Sequence, residues 1–598
     1  MGKILFINLS TGEIREETPE ESLYRDFMGG YGIGARILYS RQKAGVDPLG
    51  PENLLGLVTG PLTGTPATTG ARYQAVAKSP LTGGWGDANS GGYFGPHLKF
   101  AGYDAVFFNG IADKPVYLFI DNGKSELRDA SHLWGKDTYE TEDMLKAELG
   151  DETEAICIGP TGEKLSLISC IITNRGAAAG RSGLGAVMGS KKLKAVAARG
   201  NQKVPMADSK VASRLRREHI AELRTAKFGD KTFLDIFHKY GTSQFTVRST
   251  DSGDTPVKNW GGVAIIDYPD SSCLSGDAAI ANLDRRVGCW HCPISCESRL
   301  KEGTGEYKYP AGIRRVEYET QASFGPMCLN NNTESINIAN HICNSYGLDT
   351  ISAGCTVAFA IECYENGLIT RADTDGIELT WGNHRAIVAI TERMAKREGF
   401  GDILADGVKV AAERIGKGAE KYAVHIGGQE LGMHDPKLAR GQGQADAARY
   451  QIDATPGRHT QHCGPGGFEG HVINAAGLCV MGHLWIANSN KYIAGWMSAV
   501  TGWERSMDEL LKIGERITNI RHAFNLREGI NPLKWKVHPR IIGVPPQKVG
   551  PLAGVTADIE AQVYQNLGAL DWDRVTTKPS RNKLLELGLD DVAHELWP

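Results

Sequence analysis

Residues 285–299 read RRVGCWHCPISCESR, and no other stretch says more about how this chain folds and what it holds. Cys289, Cys292 and Cys296 follow the spacing C-x2-C-x3-C, so their thiolates can bind neighbouring irons of one compact cluster. Two alternatives stay open at this point. One is a zinc site that includes His291, although so short a loop rarely suits a closed tetrahedron. The other is a group of unrelated buried thiols. The spacing favours a [4Fe–4S] cluster whose fourth ligand lies elsewhere in the chain.

The composition predicts a globular protein of several domains. The chain has 598 residues, more than the roughly 250–300 residues that one hydrophobic core serves. Its net charge of −4, without a long basic run, argues against nucleic-acid binding. No apolar run reaches the roughly 18 residues of a membrane span, and the N-terminal MGKILFINLSTGEIREE lacks an export signal. We therefore expect a cytoplasmic protein whose twelve cysteines are free, buried or metal-bound.

The sequence divides into three regions, which together predict an α+β fold. Residues 1–207 alternate short apolar runs with glycine-rich turns, as expected of a β-rich domain. Residues 208–415 and 416–598 contain longer segments of helical periodicity, which predict two mainly helical domains. The predicted helices, several of them followed by a glycine, are 213–227, 334–345, 355–366, 383–398, 403–415 and 507–526.

A short pattern occurs twice, in different predicted domains. Residues 344–349 read NSYGLD and residues 474–479 read NAAGLC, so both follow the frame N-x-x-G-L-[D/C]. Taken alone, this frame is typical of a helix C-cap, because Asn and Gly favour the left-handed turn found there. A binding motif that is used twice is the alternative.

In their order along the chain, these features resemble the tungsten-dependent aldehyde ferredoxin oxidoreductase family. The segments that match the family pattern, besides the cysteine loop, are GPLTGTPATTGARY, SPLTGGWGDANSGGYFGPHLKFAGYDA, AAAGRSGLGAVMGSKKLKA, PVKNW, YGLDTIS, KREGFGD and KIGERI. Each glycine-rich segment is a weak signal, but the ordered combination with C-x2-C-x3-C is a strong one. The resemblance implies a first β domain that cradles two pterin dithiolenes and two largely helical domains that close over them.

The resemblance also implies the metal centres. Two molybdopterins would hold one tungsten, and a [4Fe–4S] cluster beside one pterin would take Cys479 as its fourth ligand. The competing Cys463 matches no ligand of the family. Arg72 would bridge the cluster and a pterin phosphate, and the backbone carbonyls of Asn89 and Ala179 would help to bind Mg²⁺ between the two phosphates.

The same resemblance implies which residues bind the pterins. The family commonly has Asp where this chain has Asn344 and Asn474, so the contact there would lack a full charge. The residues implied in cofactor binding are Arg72, Asn89, Ala179, Arg181, Asn344, Gly347, Leu348, Asp349, Asn474, Gly477 and Leu478.

Three side chains are the candidates for chemistry at tungsten. Glu317, in RRVEYET, matches the family's glutamate near the metal, where a carboxyl group in a closed pocket suits proton exchange. Glu319 is its alternative. His459 matches a histidine that donates a hydrogen bond to the aldehyde oxygen, with His462 as its competitor, and His434 ranks below His459.

The expected reaction is oxidation of an aldehyde to a carboxylic acid with water as the oxygen source. Electrons would leave through the cluster to ferredoxin or a ferredoxin-like subunit, because the chain has cysteines for one cluster. One alternative is the catalytic subunit of a tungsten-type benzoyl-CoA reductase, in which Cys328 could ligate the metal. Another is a zinc-stabilised binding protein without catalytic activity. The sequence does not specify the aldehyde, the choice between tungsten and molybdenum, or whether the protein forms a homo- or hetero-oligomer.

Overall fold

The computed structural model describes residues 2–438 and 446–598. The first part of the chain forms two six-stranded sheets that share a hydrophobic core. The first sheet contains β1 (Lys3–Asn8), β2 (Glu13–Glu17), β3 (Leu55–Thr59), β4 (Tyr73–Lys78), β5 (Trp85–Ser90) and β6 (Tyr103–Asn109). The second contains β7 (Val116–Asp121), β8 (Lys124–Asp129), β9 (Glu154–Cys157), β10 (Ile171–Thr173), β11 (Ala177–Ala179) and β12 (Leu193–Arg199).

The second sheet repeats the topology of the first. The strand order is β2-β1-β6-β3-β4-β5 in one sheet and, read from its far edge, β8-β7-β12-β9-β10-β11 in the other. Every strand therefore has a counterpart six strands later. The parallel pair β1–β6 has its counterpart in the parallel pair β7–β12. The edge strands β5 and β11 lie next to each other, so the two sheets meet along equivalent edges.

Helices are interspersed with the strands at first and dominate afterwards. The early helices are α1 (Glu21–Phe27), α2 (Gly30–Arg41), α3 (Phe94–Phe100), α4 (Thr138–Leu149), α5 (Pro160–Glu163) and α6 (Leu184–Ser190). The later helices are α7 (Ser209–Thr225), α8 (Phe233–Tyr240), α9 (Thr246–Asp251), α10 (Ala264–Asp267), α11 (Gly276–Ala279), α12 (Tyr318–Phe324), α13 (Thr333–Tyr346), α14 (Thr350–Glu365), α15 (His384–Lys396), α16 (Phe400–Leu404), α17 (Gly407–Ile415), α18 (Ala448–Ile452), α19 (Phe468–Ala476), α20 (Ser489–Thr501), α21 (Met507–Arg527), α22 (Ile559–Leu570), α23 (Arg581–Glu586) and α24 (Asp590–Leu596). The predicted α+β class is confirmed.

The long periodic segments form the helices that the sequence predicts, with one difference. Segments 334–345 and 507–526 correspond closely to α13 and α21. Segment 403–415 is predicted as one helix but forms two, α16 and α17. Gly407, at the start of α17, has a φ of +86°, and this left-handed conformation interrupts the helix.

The cysteine loop is the tip of a small hairpin. This hairpin consists of β15 (Leu283–Val287) and β16 (Glu297–Leu300). Another two-stranded sheet consists of β13 (Lys227–Phe228) and β14 (Lys231–Thr232). The antiparallel pair β15–β16 holds both ends of loop 288–296, which carries the three cysteines.

None of the helices described is both long enough and apolar enough to span a lipid bilayer.

Candidate active site

The second N-x-x-G-L frame docks against the first sheet. Helix α19 is followed by Gly477, which has a φ of +84°. The carbonyl of Gly477 accepts a hydrogen bond of 3.1 Å from the amide of Arg72, just before β4. A side chain at Gly60, just after β3, would come within 2.1 Å of the Ala476 backbone and 2.2 Å of the Gly477 nitrogen. Glycine is therefore required on both sides of this contact.

The first frame docks against the second sheet in the same way. Helix α13 is followed by Gly347, with a φ of +78°, whose carbonyl accepts a 2.7 Å hydrogen bond from the amide of Cys170. A side chain at Gly159, after β9, would come within 2.2 Å of the Tyr346 carbonyl. Since β9 and β10 are the counterparts of β3 and β4, the two frames occupy equivalent positions. Both frames are helix C-caps in their geometry, and their role in cofactor binding stays a prediction.

A cavity of about 390 Å³ is lined by residues from both frames and both sheets. Ala179, Gly347 and Gly477 are not among the lining residues, but residues next to each of them are: Ala178 and Gly180, Leu348, and Leu478. The predicted site residues that line this cavity are Arg72, Asn89, Arg181, Glu317, Asn344, Leu348, Asp349, His459, Asn474, Leu478 and Cys479. The structure thus brings residues that are far apart in the chain to one enclosed space.

A chain of hydrogen bonds joins the second frame to its cysteine. Asn89 donates to the Oδ1 of Asn474 over 2.8 Å and accepts from Arg72 over 2.9 Å. Arg72 also donates to the Cys479 sulfur over 3.0 Å. Burial alone would lower the pKa of Arg72, but the nearby sulfurs of Cys479 and Cys289 raise it above its usual range. Arg72 therefore stays charged between the cavity and the cysteines.

Buried arginines give the cavity an excess of cationic donors. Burial lowers the pKa of Arg458; Asp87 opposes this effect, and the nearby cations Arg181 and Arg521 add to it. The Nε of Arg314 is buried without a hydrogen-bond partner, whereas the Nε of Arg181 lies 3.3 Å from the Asp349 carboxylate. Closely spaced guanidinium groups with spare donors fit an anionic ligand such as a phosphate, which accepts several charge-assisted hydrogen bonds.

The four predicted cluster cysteines lie close enough to interact electrostatically with one another or with Arg72. The charge on Cys479 acts on Cys292, and the charges on Cys289 and Cys292 act on Cys296. Burial raises the pKa of Cys289 to about 12 and that of Cys292 to about 11. Backbone amides oppose these shifts: one from Gly92 faces the Cys289 sulfur, and two that follow Cys292 face the Cys292 sulfur. Amide donors aimed at sulfur stabilise thiolates that hold a metal cluster.

The separation of these cysteines argues against zinc. Within residues 2–438 and 446–598, only Glu319, His434 and His459 form a His, Cys, Asp or Glu triad whose ligand atoms all lie within 4.8 Å of one another. No three of the cysteine sulfurs are therefore that close. A zinc ion with bonds of about 2.3 Å to sulfur needs its ligands about 3.8 Å apart, whereas a cluster keeps them wider because each binds a different iron.

Glu319, not Glu317, contacts the two histidines. Its Oε1 lies 3.3 Å from His459 Nε2 and 3.6 Å from His434 Nε2, and its Oε2 accepts a 2.9 Å hydrogen bond from the Met433 amide. Burial raises the pKa of Glu319, and the charge of His434 opposes that rise. A buried carboxyl group between two imidazoles is suited to proton transfer.

Glu317 lines the same cavity in a different environment. Its Oε1 lies 3.3 Å from Arg315 and 3.7 Å from Arg314, and the Thr242 hydroxyl donates to its Oε2. These contacts make Glu317 an anchor for cationic side chains. Its catalytic role stays a prediction, and Glu319, the alternative named from the sequence, has the better geometry for acid–base chemistry.

Other predicted positions lie away from this group. Cys328 is fully buried in a hydrophobic core and donates to the Ser323 and Gly354 carbonyls. His462 pairs with Asp446 over 2.9 Å. The buried Cys463 packs in a separate apolar cluster near the C-terminal helices.

The sequence missed three residues of the site. Arg458 directly precedes the predicted His459, and Arg314 lies three residues before the predicted Glu317, so both could have been included for their position in the sequence. Asp254 contacts His434 from 180 positions away, and no motif marks it.

Two family models cover nearly the whole chain. The N-terminal domain of aldehyde ferredoxin oxidoreductase matches residues 4–200, and domains 2 & 3 of that enzyme match residues 218–464 and 469–589. The chain belongs to the aldehyde ferredoxin oxidoreductase family. A tungsten-containing aldehyde ferredoxin oxidoreductase from Pyrococcus horikoshii is 38% identical over 621 residues, which cover 99% of each chain.

Two other similar proteins have names that state different activities. A Pyrococcus furiosus protein named aliphatic sulfonate oxidoreductase, WOR-like subunit, is 30% identical over 638 residues, covering 100% of this chain and 98% of its own. The solved BamBC active site complex of benzoyl coenzyme A reductase has a TM-score of 0.84 at 24% identity, covering 100% of this chain and 98% of that one. The second likeness establishes a shared fold.

Proposed function

We propose that this chain oxidises aldehydes to carboxylic acids at a tungsten bis-pterin centre, with water as the oxygen source. The observation that carries this proposal is that buried arginines, a carboxylate–histidine group and Cys479 line one cavity of about 390 Å³. An enzyme for this reaction needs all three together, because it must bind an anionic cofactor, transfer protons and pass two electrons to an acceptor. The name of the P. horikoshii relative, tungsten-containing aldehyde ferredoxin oxidoreductase, supports the same activity.

The residues of the cavity fit two pterins. Asn344 and Asp349 of the first frame and Asn474 of the second offer oxygen acceptors to pterin amines. Arg181, Arg314 and Arg458 would hold the phosphates. We also propose a Mg²⁺ ion between the phosphates that takes the carbonyls of Asn89 and Ala179, since Mg²⁺ prefers oxygen ligands. These two residues lie on β5 and β11, the adjacent and equivalent edges of the two sheets.

Side chains of the protein polarise the carbonyl oxygen of the aldehyde and accept the proton of the attacking water. When bound, the tungsten centre would accept the two electrons that leave the aldehyde. His459 donates a hydrogen bond that polarises the carbonyl oxygen. Glu319, whose pKa is raised by burial, takes a proton from the water that attacks the carbonyl carbon. Glu317 holds Arg314 and Arg315 in place at the cavity wall.

Electrons leave the cavity on the side of Arg72. This side chain donates to the Cys479 sulfur and lies beside the second frame, so it links the pterin region to the proposed cluster. His291 in the cysteine loop is exposed, which places the loop within reach of a partner. A ferredoxin-like protein or subunit is the acceptor that we propose.

The alternatives receive less support from the geometry. A reductase that uses Cys328 as a metal ligand would need that thiol at the cavity, whereas it donates to core carbonyls. A zinc-stabilised binding protein would need several cysteine sulfurs about 3.8 Å apart, and within the described residues no three cysteine sulfurs all lie within 4.8 Å of one another.

The proposed function is tested with anaerobically purified protein and a viologen dye as electron acceptor. We expect aliphatic or aromatic aldehydes to reduce the dye and to be converted to the matching carboxylates. Aryl-CoA thioesters and alkyl sulfonates are assayed in parallel, as controls for the activities that the names of the two other similar proteins state. Turnover of a thioester or a sulfonate without turnover of any aldehyde would overturn the proposal.

A further inference from the structure

His434 is held on several sides by residues that do not line the cavity themselves. Its Nδ1 lies 2.8 Å from the Oδ2 of Asp254. Its ring stacks on Tyr318 with centroids 4.7 Å apart, and its backbone carbonyl accepts a 2.9 Å hydrogen bond from Tyr450. The Asp254 backbone carbonyl in turn accepts a 2.6 Å hydrogen bond from the Asp435 amide. Two loops that are remote in sequence are thus fixed against each other at this ring.

These contacts determine which nitrogen of His434 carries the proton. A carboxylate accepts hydrogen bonds only, so the Asp254 contact requires a proton on Nδ1. In the neutral ring, Nε2 then carries a lone pair and faces Glu319 Oε1 at 3.6 Å. This distance is slightly longer than a hydrogen bond, and catalytic hydrogen bonds often tighten to full strength only when substrate binds.

We propose that Asp254 and His434 form a proton relay that takes the proton from Glu319 and holds it away from the reacting centre. This inference rests on the proposed function, because oxidation of an aldehyde by water gives an acid, two electrons and two protons. The electrons pass to the ferredoxin-like acceptor. A proton that Glu319 takes from water moves to His434 Nε2, and the resulting imidazolium is stabilised by the Asp254 carboxylate. Glu319 is then ionised again, and His434, whose side chain is 20% exposed, releases the proton to solvent before the next turnover. The second proton of the balance originates in the aldehyde C–H bond and does not pass through this relay.

The charged groups around His434 are consistent with a relay. Glu319 faces it from α12, His459 lies with its ring centroid 4.8 Å away, and Asp254 faces it from the loop after α9. The Asp435 carboxylate is neutralised by Lys437 over 2.8 Å, so Asp254 is the acid that contacts the ring from this side. Asp254 is a positioning residue, because it acts through His434 and does not contact the substrate.

The test compares Asp254→Asn with the wild type. Asparagine can still accept the Nδ1 hydrogen bond but cannot stabilise the imidazolium. We expect kcat for aldehyde oxidation to fall roughly 10- to 100-fold with little change in KM, and the solvent deuterium isotope effect on kcat to rise. Asp254→Glu, which keeps the charge, recovers part of the loss. Asp251→Asn is the matched control. Asp251 is exposed on the same segment and accepts a hydrogen bond from the Ser271 hydroxyl.

A second readout does not depend on turnover. Diethyl pyrocarbonate modifies neutral imidazoles, and peptide mass spectrometry reports its reaction with His434. We expect the pH at which half of His434 reacts to fall in Asp254→Asn and to stay unchanged in Asp251→Asn. Loss of kcat without this pH shift indicates a structural role and overturns the relay, as does a kcat equal to that of the control. A wild type that oxidises no aldehyde contradicts the proposed function instead.

Discussion

Two glutamates show how single residues with almost the same sequence context acquire different chemistry. Glu317 precedes α12 and Glu319 lies in its first turn, so their side chains point to different neighbours. Glu317 reaches arginines and Thr242, and Glu319 reaches the histidines. Because both acids stand in RRVEYET, the sequence could narrow the choice to this pair but could not decide between them.

Replacement of each glutamate by glutamine separates their roles. We expect Glu319→Gln to lower kcat by about 10²–10⁴-fold, because the amide cannot take a proton from water. Glu317→Gln keeps the Thr242 contact and should lower kcat less. Both variants are assayed for aldehyde oxidation after tungsten and iron contents are matched. A larger loss in Glu317→Gln than in Glu319→Gln would contradict the assignment.

The pH profile of the wild type gives an independent check on Glu319. A base must be ionised, so kcat/KM should fall as the pH drops through the pKa of Glu319. Burial raises that pKa, so the acid limb should lie above the ordinary glutamate value of about 4.3. An acid limb at or below that value would indicate that another group serves as the base.

The proposed cluster ligands predict how the iron content changes when one of these cysteines is replaced. Cys479→Ser removes the ligand that Arg72 contacts, and we expect iron to fall well below the ~4 atoms per chain of an intact cube. Cys463→Ser is the matched control, because Cys463 lies in a separate apolar cluster. Iron and acid-labile sulfide are measured in both variants. Loss of iron in the Cys463 variant alone would show that the fourth ligand is misassigned.

At the scale of elements, the site is positioned by the contacts of two helix ends with the sheets. Gly347 ends one of these helices and Gly477 ends the other. The frame N-x-x-G-L was visible in the sequence as a repeated pattern. Its docking partners Gly60 and Gly159 were not, because a requirement for glycine between two backbones appears only once both backbones are placed. The long helices could be predicted from periodicity, whereas the break at Gly407 depends on a local φ of +86°.

Gly477→Ala tests this docking contact. Gly477 and Gly418 both have left-handed backbones, with φ values of +84° and +81°. A methyl group at Gly477 would meet Thr63 Oγ1 at 2.1 Å, while one at Gly418 would meet nothing within 4 Å. Both variants bear the backbone strain of about 1–3 kcal/mol, and Gly477→Ala should lose roughly 1–3 kcal/mol more through overpacking. Equal unfolding free energies in the two variants would contradict the close contact.

At the scale of the whole molecule, the duplicated sheets explain why the site has two similar halves. Each sheet presents the same strand order and receives one N-x-x-G-L frame at the same place. The two halves differ where the frame ends: one ends in Asp349 beside Arg181, at 3.3 Å, and the other in Cys479 beside Arg72, at 3.0 Å. One half therefore offers a carboxylate and the other the thiol of the proposed fourth cluster ligand, so electrons would leave on one side only.

This duplication was beyond the reach of the sequence. The predicted β-rich region was correct in kind, but strand order depends on pairings between β-strands that are distant in the chain. Only the short frames, which bear directly on the cavity, kept enough similarity to be noticed. The cluster loop could be proposed from the sequence because its three cysteines are local, and Cys479 could be proposed as a ligand only through the family resemblance. Both assignments stay predictions.

The most direct test of the central claim is a single-turnover experiment on the anaerobically purified protein. The oxidised protein, with its tungsten, iron and sulfide contents known, is mixed with an aldehyde in the absence of any external acceptor. Low-temperature electron paramagnetic resonance then reports the state of the cluster. We predict the spectrum of a reduced [4Fe–4S] cluster together with formation of the carboxylate. A cluster that stays oxidised while carboxylate forms, or a protein that contains zinc without acid-labile sulfide, would contradict the account.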